Sequence, residues 1–376
     1  MAASPEPLPR ARLDSRRQRV LGWVFALGLL FLLLAALEGA VRARMWLLTG
    51  SFGPAHRFEH DPASGLRIPV RNQRTAKVRT DSRGFRSPEL DDPKPPGRIR
   101  LAFAGASNTF CVEASSNEAT WPHLVWEGLG RRYPEVSFDY LNAASGGYAV
   151  EAIHRSLERR VAPLAPDVVV ISFTNNDVVK DTRALARARG LYAGGKETGS
   201  WLARHSQLAF FLERNLRIRN RRAEALGTRG RLRFEPREIS GVYRDRVAAL
   251  LKAAQRTAPV VMATTFSYRA RRGQSPAEQR EATADAFYYM PYLTPETLLA
   301  AFEEYNRVVR EAARDTGVLL VDLEHAVPGD DRHFADSVHF TDAGCLNAAA
   351  LISRALADSE AFRRLVRRAA PPPRAT

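Results

Sequence analysis

A serine, a histidine and an aspartate in this chain have the types and settings needed for nucleophilic attack on an ester. Ser107 lies in Gly105-Ala-Ser107-Asn-Thr109 directly after an apolar run, and Asp336 and His339 lie three residues apart in Asp336-Ser-Val-His339. One turn of chain lets a carboxylate reach an imidazole. A ring held at one nitrogen can use the other to take the serine proton and later return it to a leaving group. These residues therefore predict a Ser-His-Asp catalytic triad.

Two further clusters, between the serine and the histidine, offer donors for a developing oxyanion. Asn142-Ala-Ala-Ser-Gly-Gly147 ends in a glycine, whose main-chain N–H can approach a substrate because no side chain intervenes. Thr174-Asn-Asn176-Asp177 offers the side-chain amide of Asn176. We expect Gly147 and Asn176 to be oxyanion donors. Each cluster taken singly is more typical of a turn or a helix cap, so the prediction depends on their combination.

The elements that must position these clusters follow from the hydrophobic pattern. Five apolar runs predict buried strands: 99–104, 138–141, 168–173, 260–265 and 318–323. Stretches with apolar residues at helical spacing predict helices at 120–133, 150–161, 243–256, 295–316 and 341–356. Alternating strands and helices imply right-handed crossovers and a parallel sheet. Three clusters directly follow three strands, so we expect them at one sheet edge, where α/β folds bind ligands.

The remaining segments have simpler interpretations. The third and fourth strands are about 80 residues apart, which is longer than a crossover needs. Trp201, Leu208, Phe211 and Leu212 mark an amphipathic helix there, so we expect residues 178–240 to be a lid or insert laid over the sheet edge. Packing in such a lid is also the favoured role for Trp201 and the Phe210-Phe211 pair. Residues 42–97 form a lead-in segment, the hydrolytic domain covers 98–358, and 359–376 is a C-terminal tail.

The N-terminal region predicts a membrane anchor. The run Val20–Leu37 is uncharged and would be about 27 Å long as a helix, close to the thickness of a bilayer core. We therefore expect a transmembrane signal-anchor helix over 20–41. Five arginines precede the run and two follow it closely: Arg10, Arg12, Arg16, Arg17 and Arg19, then Arg42 and Arg44. This bias keeps the basic segment 1–19 in the cytoplasm and places the rest outside, in the periplasm or at the cell surface. A cleaved signal peptide is the alternative.

Composition restricts the class of protein further. The chain has 376 residues, 45% hydrophobic, which is enough for a full core, and a net charge of +15. No helix-turn-helix, zinc-finger or RNP-like pattern accompanies the charge, so a nucleic-acid partner is not expected. Residues 178–240 hold 15 Lys or Arg against 6 Asp or Glu. That segment is either a solvated basic surface or attracts an anionic polymer or lipid headgroups.

Metal and cofactor chemistry are not expected. The chain has two cysteines, too few for a disulfide scaffold or a cysteine-rich zinc site. Cys111 and Cys345 follow Ser107 and His339 closely, so a fold that joins those residues also brings the thiols together, as a disulfide or as two buried free thiols. The other histidines lack ligand spacing: His56, His60, His123, His154, His205, His325 and His333. The sequence also lacks a Gly-rich phosphate loop.

The four clusters together resemble the SGNH (GDSL) hydrolase family, whose blocks occur in this order, and the resemblance spans about 98–356. It implies that Ser107 is the nucleophile, that His339 and Asp336 complete the triad, and that Gly147 and Asn176 are oxyanion donors beside the Ser107 amide. It also implies a flavodoxin-like three-layer α/β/α sandwich with a five-stranded parallel sheet. Ala106 and Thr174 replace the family's usual aspartate and glycine, and Ala106 leaves open how the serine turn is held. The preceding stretch Gly84-Phe85-Arg86 is similar to one found in a membrane-anchored bacterial branch of this family.

These observations predict an extracytoplasmic, membrane-anchored serine esterase. It would hydrolyse an acyl ester, such as an acetyl ester, of a carbohydrate or another acylated small molecule. A close alternative passes the acyl group to a sugar hydroxyl and so acts as an O-acyltransferase on exported polysaccharide. A third hypothesis is a non-catalytic glycan-binding fold, suggested by Ala106, Thr174 and the basic insert. Oligomeric state cannot be read from the sequence.

Overall fold

The computed structural model describes residues 15–49, 58–191, 200–226 and 232–371. It divides into two units. The first comprises Met1–Ala55 with Thr198–Arg214, and the second comprises His56–Glu197 with Asn215–Thr376.

A short antiparallel hairpin and a five-stranded parallel sheet make up the strands of the second unit. The hairpin consists of β1 (Phe58–Asp61) and β2 (Leu66–Pro69) and belongs to the lead-in segment. The sheet consists of β3 (Ile99–Ala104), β4 (Phe138–Asn142), β5 (Val168–Ser172), β6 (Val260–Thr264) and β7 (Leu319–Val321). Its strand order is β4-β3-β5-β6-β7, so the order reverses between β3 and β5 as in flavodoxin-like folds. The predicted fold class is confirmed.

Fourteen α-helices lie within the described residues. They are α1 (Ser15–Thr49), α2 (Ser107–Phe110), α3 (Trp121–Arg132), α4 (Val150–Ser156), α5 (Asn176–Ala188), α6 (Trp201–His205), α7 (Gln207–Leu226), α8 (Arg237–Thr257), α9 (Pro276–Thr283), α10 (Ala286–Tyr289), α11 (Pro295–Thr316), α12 (Leu323–Ala326), α13 (Asp342–Asp358) and α14 (Glu360–Ala369). Local signals explain their bounds. Thr294 caps α11 through the N–H of Thr297, Pro295 fills its first position, and Gly317 ends it with a φ of 69°.

Helices cover both faces of the sheet because strand side chains alternate in direction. Leu101 and Phe103 of β3 belong to one buried apolar cluster, with residues of α3, α13 and α14. Ala102 and Ala104 belong to the other, with residues of α4, α8 and α11. The strands are apolar on both faces, which is why they read as continuous hydrophobic runs in the sequence.

Two segments differ from their sequence-based description. Part of the predicted C-terminal tail, 359–376, forms helix α14, because Ser359 caps it and Phe362 and Val366, one turn apart, are buried against the sheet's helical layer. Residues 372–376 lie outside the described part of the chain. In the predicted insert, the part around Trp201 and Phe211 forms two helices, α6 and α7, where the sequence suggested one, since Ser206 adopts an extended conformation between them. Their predicted position over the sheet edge remains a prediction.

The first unit contains α1, a helix long and apolar enough to cross a membrane, with a candidate span at Arg17–Leu47. None of that span's apolar window is buried inside the structure. A membrane anchor and a signal sequence both have these properties.

Candidate active site

Ser107, His339 and Asp336 form a continuous chain of hydrogen bonds. The His339 Nε2 atom lies 2.8 Å from Ser107 Oγ, although the two residues are 232 positions apart. On the other side of the ring, His339 Nδ1 lies 2.6 Å from Asp336 Oδ2. All three side chains are half-buried. The geometry suits transfer of the serine proton to Nε2 while the carboxylate holds the ring's other N–H.

The serine turn is held without the family's usual aspartate, and Arg86 supplies much of the support. Arg86 is fully buried, and its guanidinium donates to the main-chain oxygens of Phe110, at 2.7 Å, and Cys111, at 2.6 Å. The indole of Trp121 donates to the oxygen of Asn108 at 3.1 Å, and Asn142 Nδ2 donates to that of Thr109 at 2.8 Å. The carbonyls of the short helix α2 are therefore fixed from several directions. Ala106 is itself buried.

Gly105 is required by close packing at the end of β3. A Cβ atom there would lie 2.1 Å from Thr109 Oγ1 and 2.9 Å from the main-chain oxygen of Ser172. Any side chain would therefore displace the turn that presents Ser107.

The loop that carries the imidazole is tied to the serine helix. Asn108 Nδ2 donates to the main-chain oxygen of Val338 at 3.0 Å, so the sequence neighbours of Ser107 and of His339 are joined directly. Asp336 Oδ1 accepts from the amides of Val338 and His339, both at 2.8 Å. Thr341 caps α13 by accepting from Gly344 N. Because each contact is local to the loop or joins it to α2, the imidazole is preorganised.

Asp336 is ionised within this network. Burial by itself would raise the pKa of its carboxyl, but the hydrogen bond and electrostatic attraction of the His339 ring and the two loop amides oppose it, and the pKa lies below its ordinary value. A carboxylate in this position favours the imidazolium that forms when His339 takes a proton.

Gly147 and Asn176 lie beside each other at the ends of neighbouring segments. Gly147 has a φ of 84° and an exposed position, so its turn requires glycine and no side chain of its own shields its N–H. Asn176 Nδ2 donates to the main-chain oxygen of Tyr148 at 2.8 Å. One amide hydrogen of Asn176 is thus committed to holding the turn after Gly147, and the second is available for a substrate oxygen.

We predict that Asn176→Ala lowers kcat by roughly 100- to 1,000-fold, the usual cost of losing one oxyanion donor. The substitution also removes the bond to Tyr148, so both candidate donors are affected. Steady-state hydrolysis of p-nitrophenyl acetate measures the effect, with Asn175→Ala as the matched neighbour control. Equal rates for the two variants would contradict the role of Asn176.

Arg67 of the hairpin also reaches this turn, and nothing in the sequence pointed to it. Its Nη2 donates to the main-chain oxygen of Gly146 at 2.9 Å, and Ser145 Oγ donates to the main-chain oxygen of Arg67 at 3.1 Å. The guanidinium lies over the ring of Phe58, 4.3 Å from its centroid, and the same ring packs under Gly146. The lead-in hairpin therefore braces the turn that presents Gly147. In the hairpin Arg67 pairs with His60, and Phe58, two residues before His60, is its diagonal neighbour on the same face, which only the pairing of the strands reveals.

We expect Arg67→Ala to lower kcat about 10- to 100-fold because the Gly146–Gly147 turn loses its brace, which is the scale of a misplaced reacting group. Arg67→Lys should recover only part of the loss, since an ammonium cannot reproduce the planar contact with Phe58. Arg74→Ala is the control, because Arg74 is exposed and lies elsewhere in the lead-in segment. If Arg67→Ala matched Arg74→Ala in both kcat and KM, the brace would have no catalytic effect.

Asp177 is fully buried next to Asn176 and links the same two segments. Its Oδ2 accepts from the amide of Val150 at the start of α4, at 3.0 Å, while Oδ1 has no hydrogen-bond partner among the described residues and lies 3.9 Å from Arg246 Nη1. Burial raises the pKa of Asp177 to about 7, and the opposing bond from Val150 does not offset it. The group thus takes up a proton in the folded chain at a pH where it would be ionised in the unfolded chain.

This raised pKa predicts a pH dependence of stability. Between about pH 4 and pH 7 the folded state binds more protons at Asp177 than the unfolded state, so stability falls as pH rises, by at most roughly 1.4 kcal/mol per pH unit. Asp177→Asn keeps an acceptor for Val150 and should flatten this slope. Urea unfolding at several pH values measures it, with exposed Asp245→Asn as control. A slope in Asp177→Asn equal to that of the wild type would refute the assignment.

Two other Asp-x-x-His pairs lie in the same region and do not reach Ser107. Asp330 pairs with His333 at 2.7 Å, and Asp322 pairs with His325 at 2.7 Å. Asp322, Glu324 and His325 are also grouped closely enough to bind a cation. The guanidinium of Arg310 donates to both carboxylates, however, and already supplies the compensating positive charge.

Cys111 and Cys345 are both buried and carry free thiols. Contact with the thiol of Cys111, together with burial, raises the pKa of Cys345 well above its ordinary value. The fold therefore does bring the two thiols together, in the reduced form.

Comparison with known proteins gives a family match and several similar folds. The model of the GDSL-like lipase/acylhydrolase family matches residues 103–345. Axe2, an acetylxylan esterase from Geobacillus stearothermophilus, is 18% identical, with a TM-score of 0.43 over 70% of this chain and 96% of that one. LAE5, an α/β hydrolase from the metagenome of Lake Arreo in Spain, is 16% identical, with a TM-score of 0.43 over 68% of this chain and 94% of that one. No match to a curated protein is found.

Proposed function

The chain belongs to the GDSL-like lipase/acylhydrolase family and is an ester hydrolase of the SGNH kind; on this premise we propose that it is a membrane-anchored serine esterase with Ser107, His339 and Asp336 as its catalytic triad. The observation that carries the assignment is the hydrogen-bond chain from Ser107 Oγ through the imidazole to Asp336. Asn108, which joins α2 to the oxygen of Val338, supports it by fixing the two halves together.

The proposed mechanism has two steps. Ser107 Oγ attacks the ester carbonyl carbon while His339 Nε2 takes its proton, and the resulting imidazolium protonates the leaving alcohol as the acyl-enzyme forms. Water then attacks the acyl-enzyme with His339 as base, and the acid leaves as Ser107 regains its proton. The amides of Ser107 and Gly147 and the side chain of Asn176 stabilise the oxyanion in both steps.

The surroundings of Ser107 favour an ester with a polar alcohol. Arg67 and Gly147 are exposed, and Asn176 is half-buried. A long acyl chain needs a continuous apolar wall, whereas polar groups at the rim suit hydroxyl-rich substrates. We therefore propose a short acyl group, such as acetyl, on a carbohydrate or related small molecule.

Membrane anchoring is proposed for α1. Most of the large apolar side chains in the run Val20–Leu37 are more than half exposed, among them Phe25 at 75% and Phe31 at 70%. Such a surface is unfavourable in water and suits a bilayer. The arginine bias of the sequence then gives an extracytoplasmic active site, in the periplasm or at the cell surface.

The direct test combines labelling with a substrate panel. A fluorophosphonate probe should modify Ser107, identified by peptide mapping, and acetylated sugars should be hydrolysed faster than p-nitrophenyl esters of long fatty acids. Faster turnover of the long-chain esters would reject the substrate class. Product analysis with an added glycan acceptor separates hydrolysis from acyl transfer, because a transferred acyl group appears on the acceptor.

A further inference from the structure

Within the first unit, helix α1 is hydrogen-bonded to the junction between α6 and α7. Both oxygens of the Glu38 carboxylate are used: Oε1 accepts from the amide of Gln207 and Oε2 from that of Leu208, each at 2.9 Å. Ser206 Oγ adds a third bond, at 2.8 Å to Oε2. Glu38 therefore caps the start of α7, where amides have no partner within the helix.

Arg42 completes this clamp one turn along α1. Its Nε donates to Glu38 at 2.7 Å, and its Nη2 donates to the main-chain oxygen of His205 at 3.0 Å. Arg42 thus donates a hydrogen bond to a carbonyl at the end of α6, while Glu38 accepts hydrogen bonds from amides at the start of α7. Two residues on α1 fix both helix ends at one place, which we call the Glu38–Arg42 clamp.

The clamp lies at a defined position along the proposed anchor. Glu38 directly follows the apolar run that ends at Leu37, which by length fills the hydrocarbon core. A carboxylate at that boundary is tolerated when it is fully hydrogen-bonded, as it is here. The junction of α6 and α7 is therefore held where hydrocarbon gives way to lipid headgroups.

The clamped helices expose large apolar side chains. Trp201 is 66% exposed, Leu202 57%, Phe210 40% and Leu212 54%. Exposed arginines interleave with them, Arg204 and Arg214. Aromatic and apolar residues beside arginines suit the bilayer interface, where the rings enter the acyl boundary and the guanidinium groups meet phosphates.

We propose that α6 and α7 form a surface that lies on the outer leaflet of the bilayer, with Trp201, Leu202 and Leu212 in contact with lipid. This inference rests on the membrane anchoring proposed for α1. A lipid surface is favoured over a protein partner because the clamp is continuous with the anchor at the depth where lipid surrounds it. The insert is then a second membrane contact that restrains the chain near the bilayer surface.

Tryptophan quenching in full-length protein tests this surface. The protein is reconstituted into vesicles of phosphatidylcholine and phosphatidylglycerol whose acyl chains carry bromine near the glycerol end. Quenching is compared for the wild type and for Trp201→Phe, Trp23→Phe and Trp126→Phe. Trp23 lies in α1, whereas Trp126 is half-buried and donates to the main-chain oxygen of Phe138. We expect bromine-dependent quenching to fall in Trp201→Phe and Trp23→Phe but not in Trp126→Phe.

The outcomes separate the two proposals. Normal quenching in Trp201→Phe together with reduced quenching in Trp23→Phe would overturn the surface and leave the anchor, as would happen if a second copy or another protein covered Trp201. Normal quenching in both would overturn the anchor and the surface together. Ester turnover by the same vesicles reports independently on the esterase. Glu38→Ala should reduce the contribution of Trp201 to bromine-dependent quenching and leave that of Trp23 unchanged. A Trp201 contribution equal to that of the wild type would refute the role of the Glu38–Arg42 clamp.

Discussion

Ser107→Ala is expected to lower kcat for p-nitrophenyl acetate on the order of 10⁴- to 10⁶-fold, with little change in KM. The Ser107 hydroxyl lies 2.8 Å from His339 Nε2, and without it no acyl-enzyme can form. The residual rate would come from the oxyanion donors and binding alone. The same variant should lose fluorophosphonate labelling completely.

Ser115→Ala is the matched control, since Ser115 is an exposed serine eight residues along the same segment. Its rate and labelling should equal those of the wild type. Retained turnover in Ser107→Ala, with circular dichroism showing an intact fold, would reject the acyl-enzyme mechanism and favour a binding role for this site.

Asp336→Asn is expected to lower kcat about 10⁴-fold. The asparagine can still accept from the amides of Val338 and His339, so the loop should keep its shape. It cannot stabilise an imidazolium, however, and its NH₂ group would favour the wrong imidazole tautomer. Steady-state kinetics measures the loss, and thermal unfolding checks that stability is retained.

Asp330→Asn gives an unusually close control for this substitution. Asp330 holds His333 in the same three-residue spacing and accepts from His333 N, but this pair does not reach Ser107. The variant should keep nearly full activity. Comparable losses in the two variants would mean that the Asp336 effect is structural rather than catalytic.

The layered fold could be predicted from the sequence because its signals are local. Each strand of the sheet is buried on both faces and reads as an apolar run, and the helices between them repeat at helical spacing. Three of the four candidate clusters follow strands directly, so a parallel sheet places them at one edge. The sequence analysis missed helix α14 because only two of its residues, Phe362 and Val366, are buried, and because a proline-rich end follows it.

The choice of base depended more on tertiary structure than on local pattern. Three Asp-x-x-His pairs occur within 18 residues, beginning at Asp322, Asp330 and Asp336, and all three are hydrogen-bonded pairs in the folded chain. The family resemblance pointed to the pair Asp336 and His339. Its contact with the serine arises from the packing of α2 against the loop before α13, including the bond from Asn108 to Val338.

The sequence by itself determined the order of the chemical groups, the parallel sheet and the apolar run of α1, since each is encoded by residue type and short-range spacing. Tertiary structure alone decided the approach of Arg67 to Gly146, the burial that raises the pKa of Asp177, and the capping of α7 by Glu38. These features join residues tens to hundreds of positions apart. Their energies depend on distance and solvent exclusion, which exist only once the chain has folded.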